Sequence, residues 1–149
     1  LESFRGTLFR QTMFAEFEQK AHEMAAAGES MTSQSLCGIY KKLNEDYFGP
    51  DTVIDSQIQY EWERIPHFYT PFYVYQYATG FSAAIAISKK IFNGEPGILE
   101  GYKKFLSGGC SDTPIELLKL AGVDMSHTGP VEEALKFFEE LLNEFEDLA

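Results

Sequence analysis

The stretch that decides the fold covers residues 70–92 and reads TPFYVYQYATGFSAAIAISKKIF. A threonine followed by proline favours a helix start, because the threonine side chain caps a free N–H group and proline has no N–H to leave unpaired. The residues that follow are almost wholly apolar, and a helix that is apolar on all sides is buried. We therefore predict a long central helix from Pro71 to about Phe92, closed by Asn93-Gly94.

Two further helices are predicted before this segment. Apolar residues recur at three- and four-residue steps over residues 1–27, the pattern of an amphipathic helix, and a glycine ends it. A second helix begins after Thr32, where Ser33 and Gln34 supply capping chemistry, and it stops at residues 48–50, which read FGP.

Three more helices are predicted after the central one, because proline and glycine mark their ends. Residues 51–65 are less periodic and are compatible with a short helix, and no alternation of apolar and polar residues indicates a strand. Prolines mark the three helix starts and glycines the ends of the first two: Pro96, Pro114 and Pro130, then Gly108-Gly109 and Gly122. The sequence predicts an all-α multi-helix bundle, one helical domain over residues 1–149, with residues 71–92 as its hydrophobic centre.

Composition excludes several classes of partner. The net charge is −11, whereas nucleic-acid binding draws its affinity from clustered Lys and Arg. The longest apolar run, around Phe81 to Ile87, is shorter than the roughly 20 residues of a membrane span. Cys37 and Cys110 fit neither a zinc motif nor a disulfide framework, which favours a reducing compartment. We expect no nucleic-acid and no membrane partner.

Residues 65–80, IPHFYTPFYVYQYATG, hold most of the polar aromatic side chains. On a helix, Tyr69, Tyr73 and Tyr77 would share one side, and Tyr75 the other. A buried Tyr or His needs a partner for its polar atom, so such a group faces itself, water or a ligand. An aromatic stripe at helical spacing is more commonly core than site, so these residues alone leave both interpretations open.

A resemblance to a known family favours the site. His67 to Gly80 resembles the C-terminal signature of oligoendopeptidase F, and residues 9–18, FRQTMFAEFE, resemble the helix that follows its zinc-ligand region. The likeness extends through FLSGG at residues 105–109, so it covers most of the chain. It implies a cytoplasmic, all-α zinc peptidase that binds zinc through an HExxH helix and a downstream glutamate, and cuts short peptides in a deep channel.

The sequence departs from that family at the zinc motif. The one His-Glu pair, His22-Glu23, is followed by Ala26 where the second histidine should stand, so His22 is expected at the surface. The resemblance then implies that the zinc ligands lie upstream of Leu1, as in a fragment of a longer polypeptide. We expect zinc in the full-length enzyme, no metal bound by this fragment, and no activity without the remainder of the same polypeptide.

The resemblance also suggests roles in the segment. In helical zinc peptidases a His and a Tyr ten to twelve positions later stabilise the transition state, and we match these to His67 and Tyr77. The match across residues 68–72 is not unique: a slip of two residues would exchange Tyr77 for Tyr75, and Tyr69 is another alternative. Tyr69, Tyr73 and Tyr75 are the substrate-binding candidates.

Two alternatives remain open at this stage. Arg10 is expected to pair with Glu16 or Glu18, in preference to binding a substrate carboxylate. For the whole chain, the alternatives to a peptidase are a non-catalytic helical peptide-binding module and a purely structural bundle. Helices separated from the rest of an enzyme would expose apolar surface, so self-association is also expected.

Overall fold

The computed structural model describes residues 1–148, and all regular structure in that range is helical. A π-helical turn at Phe4–Phe9 leads into α1 at Arg10–Ala26, followed by α2 at Ser33–Phe48, two 3₁₀ helices at Ser56–Arg64 and Pro66–Tyr69, α3 at Tyr75–Phe92, α4 at Ile98–Gly108, α5 at Pro114–Leu120 and α6 at Gly129–Leu148. The predicted all-α fold is confirmed. None of these helices is long and apolar enough to cross a bilayer.

The chain divides into two compact units. The first unit is Arg5–Ala78, and the second comprises Leu1–Phe4 with the chain from Thr79 onward. A single domain over residues 1–149 stays a prediction, and its last residue lies outside the described part of the chain.

The core of the first unit is built by α1 and α2. Apolar residues on one face of each helix are buried together, and they are joined by two residues from later in the chain: Met13, Phe14, Phe17, Leu36, Tyr40, Leu43, Ile65 and Val74. Burying a side chain of this size contributes about 1.5–3 kcal/mol. Because Ile65 and Val74 belong to this core, the segment between them is held against α1 and α2 at both ends.

The predicted start of α2 is confirmed, although its capping residues differ from those expected. Thr32 Oγ1 accepts a hydrogen bond from the Ser35 N–H at 3.1 Å, and Ser35 Oγ accepts one from the Thr32 N–H at 3.0 Å. This reciprocal capping box satisfies two N–H groups that the first helical turn would leave unpaired. Thr32 and Ser35 therefore supply the capping that we assigned to Ser33 and Gln34.

The predicted partner of Arg10 is wrong. Arg10 Nη2 donates to Glu61 Oε1 at 2.6 Å, and Arg64 Nη2 donates to the same oxygen at 2.5 Å. Tyr40 Oη donates to Glu61 Oε2 at 2.7 Å. The 3₁₀ helix at Ser56–Arg64 brings Glu61 to α1 from a position 51 residues along the chain, which spacing along α1 does not indicate.

The predicted start of the central helix is also wrong, because α3 begins at Tyr75 rather than Pro71. Phe72 has φ +57°, in the left-handed region that non-glycine residues seldom adopt. A helix cannot pass through a residue in that conformation. Residues 70–74 therefore form an irregular turn, which places the neighbouring tyrosines differently from a continuous helix.

The second unit has a core of its own, to which α3 contributes from Ser82 onward. Ala83, Ala86 and Ile87 pack with Ala121 and Val123, which lie directly after α5. The N-terminal residues of α3 are exposed, so the expectation that residues 71–92 are buried throughout and form the single hydrophobic centre is wrong. α3 is buried along its small and aliphatic residues and exposed at its N-terminal tyrosines.

Most helix ends in the second unit lie at the predicted proline and glycine positions. Thr113 Oγ1 accepts the Glu116 N–H at 3.3 Å, and Pro114 is the first residue of α5. Gly94, with φ +68°, follows α3 and allows the turn that a larger residue would strain. The ends of α3, α4 and α5 confirm the glycine predictions, whereas α4 begins at Ile98, two residues after the predicted start at Pro96.

Candidate active site

A cluster of three polar aromatic rings lies on the first unit between two buried anchors. His67 belongs to the short 3₁₀ helix Pro66–Tyr69, directly after buried Ile65. Tyr73 precedes buried Val74, and Tyr77 lies four residues after Tyr73, in the first turn of α3. Ile65 and Val74 are buried in the core, whereas Tyr73 and Tyr77 are exposed and His67 is half-buried. We call these three residues the His67–Tyr73–Tyr77 cluster.

The geometry of the cluster is ordered. The His67 and Tyr73 rings are stacked, with centroids 5.7 Å apart and an interplanar angle of 6°. The Tyr77 ring stands edge-on to both, at 5.8 Å from His67 and 5.4 Å from Tyr73. Its Oη lies 3.3 Å from His67 Nε2 and donates to Tyr73 Oη at 3.5 Å. The polar atoms of all three rings therefore converge near the Tyr77 hydroxyl.

The cluster is open to solvent. Tyr73 and Tyr77 are 38% and 36% exposed, and His67 is half-buried. The two hydrogen bonds of Tyr77 are at the long limit for such contacts, where the interaction is weak. A ligand atom can replace either hydrogen bond of Tyr77 at a small cost in free energy, because the bond that is lost is weak. The solvent-facing side of the Tyr77 ring is already accessible to such a ligand.

The Tyr77 hydroxyl stays protonated over the ordinary pH range. Its hydrogen bond to Tyr73, and to a smaller extent the limited burial of the hydroxyl, raise the pKa of Tyr77 above its usual value. A neutral phenol donates one hydrogen bond and accepts others. His67 Nε2 can take either side of its contact with Tyr77, depending on which ring nitrogen carries the proton. The arrangement can present an O–H donor to an acceptor in solution.

The other two predicted site residues lie elsewhere on the first unit. Tyr69 is 86% exposed and borders a mostly apolar pocket of about 440 Å³ that Trp62 and Phe68 also line. Tyr75 borders a different depression of about 610 Å³, together with Tyr47. Of the three tyrosines predicted to share one side, Tyr73 and Tyr77 are in contact, whereas Tyr69 belongs to the preceding 3₁₀ helix.

Sequence reasoning missed the role of Glu18, which contacts the turn beside the cluster. Glu18 is 6% exposed, and its Oε1 accepts the Phe72 N–H at 2.7 Å. The ring of His22 packs on that of Phe72, with centroids 4.7 Å apart. One signal was available in the sequence: Glu18 falls within the apolar stripe of α1, four residues after Phe14, where a carboxylate needs a buried partner.

The described residues do not fit a zinc ion. No group of three or more His, Cys, Asp or Glu side chains in residues 1–148 could hold a metal. His22 is exposed, as predicted, and so is His127, whose Nδ1 accepts the Gly129 N–H at 3.1 Å.

Comparison with known proteins decides the family. The model of peptidase family M3 matches residues 1–137. The chain belongs to this family. The resemblance to oligoendopeptidase F given by the two aromatic motifs is confirmed by individual relatives.

Relatives from family M3 cover almost the whole chain. Oligopeptidase PepF of Bacillus subtilis is 54% identical over 99% of the chain and 22% of its own length. The chromosomal oligoendopeptidase F of Lactococcus lactis subsp. cremoris is 50% identical over 99% of the chain and 25% of its own length. The crystal structure of oligoendopeptidase F from Enterococcus faecium matches with a TM-score of 0.94 and 52% identity, over 97% of this chain and 28% of that one. The chain spans about a quarter of the length of these relatives.

Proposed function

We propose that this chain is part of a zinc-dependent oligoendopeptidase that hydrolyses short peptides, and that the His67–Tyr73–Tyr77 cluster binds the carbonyl oxygen of the bond being cut. Family membership supports the peptidase activity, and the names of the relatives support oligopeptides as substrates. The observation that carries the site is the convergence of three polar ring atoms at one solvent-open hydroxyl. Zinc, the cofactor proposed for the complete enzyme, would be held outside this chain.

Tyr77 is the proposed donor to the developing oxyanion. When water adds to a peptide carbonyl carbon, the carbonyl oxygen gains negative charge, and a donor aimed at that oxygen stabilises the transition state more than the substrate. A neutral phenol suits this role because it carries a proton to donate. The raised pKa of Tyr77 supports this, since it keeps the hydroxyl neutral to a higher pH than usual.

His67 and Tyr73 are proposed to prepare that donor. With its proton on Nε2, His67 donates to Tyr77 Oη, which leaves the Tyr77 proton for an acceptor on the other side. When no substrate is bound, Tyr73 Oη accepts the hydrogen bond from Tyr77 Oη at 3.5 Å, and the stacked Tyr73 ring fixes the plane of the imidazole. Substrate would replace a weak contact by a stronger one to an oxygen that carries charge.

The remaining tyrosines are proposed to bind the peptide outside the scissile bond. Tyr69 stands at the edge of the apolar pocket of about 440 Å³, which suits an apolar side chain. Tyr75 borders the other depression, and the contact between the Tyr77 hydroxyl and His67 Nε2 favours Tyr77 over Tyr75 as the oxyanion donor. By resemblance, we also place the enzyme in the cytoplasm, with the remainder of its polypeptide as the partner of this chain.

The test is the Tyr77→Phe substitution in the complete peptidase. We expect turnover of a short peptide to fall by about 10²–10³, the usual loss for one oxyanion donor, with the zinc content unchanged. Turnover and metal content are measured on the same preparation, the first by a fluorogenic peptide and the second by atomic absorption.

The matched control is Tyr60→Phe, which removes an exposed phenol hydroxyl from the 3₁₀ helix Ser56–Arg64, away from the cluster. It should leave turnover unchanged. Tyr75→Phe should raise KM and leave kcat nearly constant, because a substrate-binding group acts equally on the ground and transition states. Wild-type turnover in Tyr77→Phe, or a large fall in Tyr75→Phe alone, would contradict the assignment.

A further inference from the structure

We infer that Glu18 is a positioning residue, which fixes the Tyr73–Tyr77 pair by holding the turn at residues 70–74. This inference rests on the proposed function of the cluster and adds to it a residue from a distant part of the sequence. Glu18 does not touch the cluster rings in any described contact, and it acts through the backbone of Phe72.

The contact itself is a buried, charge-assisted hydrogen bond. Glu18 Oε1 accepts the Phe72 N–H at 2.7 Å across 54 residues of sequence, and Glu18 is buried within the aromatic face of α1. A carboxylate in such a position is unfavourable unless hydrogen bonds compensate for its lost hydration. The Phe72 N–H is such a partner, so Glu18 and the turn stabilise each other.

The bond acts at the residue where the chain changes direction. Phe72 is the one non-glycine residue with positive φ in the described chain, and such a conformation persists only where its surroundings hold it. Tyr73 follows directly, Val74 is buried, and α3 begins at Tyr75. The conformation of Phe72 therefore sets the point from which Tyr73 projects and the direction in which α3 carries Tyr77.

A second contact from α1 supports the same turn. His22 lies one helical turn after Glu18, and its ring packs on Phe72 at 4.7 Å with an interplanar angle of 31°. Glu18 holds the backbone and His22 covers the side chain of one residue. Because His22 is exposed, its replacement tests the turn without burying or uncovering a charge.

The experiment compares Glu18→Leu with Glu18→Gln in the complete peptidase. Leucine has a similar volume but accepts no hydrogen bond, whereas the glutamine carbonyl can still accept the Phe72 N–H. We expect kcat to fall about 10-fold or more in Glu18→Leu with KM within about 2-fold, because a shift near 1 Å in a catalytic group can cost up to about 10² in rate. Glu18→Gln should recover most of the loss. Glu45→Gln, at an exposed carboxylate of α2, is the control and should have the wild-type kcat.

The double variant separates positioning from general destabilisation. In a Tyr77→Phe background, Glu18→Leu should reduce kcat by less than about 2-fold more, because the group it positions is already absent. Multiplicative losses, or a wild-type kcat in Glu18→Leu, would overturn the inference. If Glu18→Leu does not fold, His22→Ala takes its place, with an expected fall of about 3-fold that also disappears in the Tyr77→Phe background; an unchanged kcat in His22→Ala then overturns it.

A readout independent of turnover keeps the two proposals distinguishable. The Tyr77 pKa is followed by the NMR signal of ring-labelled tyrosine, assigned with Tyr77→Phe. Loss of the Glu18 contact should separate Tyr77 from Tyr73 and return this pKa toward its ordinary value. If Tyr77→Phe keeps full turnover, the oxyanion role fails while a lowered Tyr77 pKa in Glu18→Leu, or in His22→Ala, still supports the positioning role. An unchanged pKa contradicts it.

Discussion

Two tyrosine hydroxyls in the first unit, those of Tyr40 and Tyr77, differ in almost every physical respect. Tyr40 is fully buried and donates to Glu61 Oε2 at 2.7 Å. Tyr77 is 36% exposed and makes two contacts of 3.3 and 3.5 Å. The first hydroxyl is enclosed with a charged acceptor, and the second faces solvent with neutral partners that it can exchange. Tyrosine therefore stabilises the fold at Tyr40 and belongs to a solvent-exposed site at Tyr77.

The pKa shifts express this difference. Burial, then the hydrogen bond to Glu61, raises the pKa of Tyr40 far above its usual range. Burial alone would raise the pKa of Glu61, but the hydrogen bonds from Tyr40 and Arg10, with the charges of Arg10 and Arg64, outweigh it and lower that pKa. The Glu61 carboxylate is thus ionised, and both of its oxygens accept hydrogen bonds within the fold. Around Tyr77 the raised pKa arises first from Tyr73, an exposed neighbour.

The largest expected effect on stability comes from removing Glu61. Glu61→Leu leaves Tyr40 without an acceptor and Arg10 without its carboxylate, and we expect a loss of about 2–3 kcal/mol in the free energy of unfolding. The figure is below the usual range for a broken buried pair because Arg10 and Arg64 are partly exposed. Urea denaturation of residues 1–149, followed by the fluorescence of Trp62, the single tryptophan among them, measures it. A loss below about 0.5 kcal/mol would place Glu61 among ordinary surface residues.

The next effect compares the two hydroxyls directly. Tyr40→Phe should destabilise the fold by about 1–3 kcal/mol, because a charged, buried acceptor loses its donor. Tyr77→Phe should change stability by less than about 0.5 kcal/mol, as an exposed substitution does. The same urea experiment serves both variants. Equal losses would show that the two hydroxyls have the same structural role and would remove the contrast on which the site depends.

Unfolding at alkaline pH extends the comparison to a third tyrosine, Tyr47. Burial, then the hydrogen bond to Glu16 at 3.0 Å, raises the pKa of Tyr47 to about 12. The unfolded chain releases this proton near the ordinary pKa of about 10, so the stabilisation is complete below that value and is lost as the pH rises through about 12. Unfolding midpoints between pH 9 and 12 should fall less steeply in Tyr47→Phe than in the wild type. Parallel curves would contradict the assignment.

The smallest effect concerns Tyr73 alone. Tyr73→Phe removes the acceptor of the Tyr77 proton, and the Tyr77 pKa should fall toward its ordinary value. Stability should be nearly unchanged, since both rings are exposed. NMR titration of ring-labelled tyrosine provides the pKa, and a value that stays raised would assign the shift to other neighbours.

Much of the fold follows from local signals in the sequence. The ends of the helices were predictable because capping side chains, prolines and glycines act within a few residues of the backbone that they influence. The start of α3 was not, because it depends on Phe72 adopting a left-handed conformation next to a carboxylate from α1. Thr70-Pro71 is a valid helix-start pattern, but a tertiary contact overrides it.

The site was predictable to a smaller extent. Tyr73 and Tyr77 could be placed together because they are four residues apart, and contact between residues at that spacing is a property of helical turns. His67 reaches them only because Ile65 and Val74 are both buried in the same core, which no spacing rule contains. The Glu18 contact and the Arg10–Glu61 pair join residues more than 50 positions apart, so the sequence identified the groups but not their partners.

The most direct test of the central claim measures how tightly the complete peptidase binds two ligands, with and without the Tyr77 hydroxyl. One ligand is a short peptide analogue with a tetrahedral phosphinate in place of the scissile amide, and the other is the product peptide. We predict that Tyr77→Phe weakens phosphinate binding by about 10²-fold and leaves product binding nearly unchanged, because the hydroxyl acts on the tetrahedral oxyanion alone. Equal changes for both ligands, or none for either, would contradict the account.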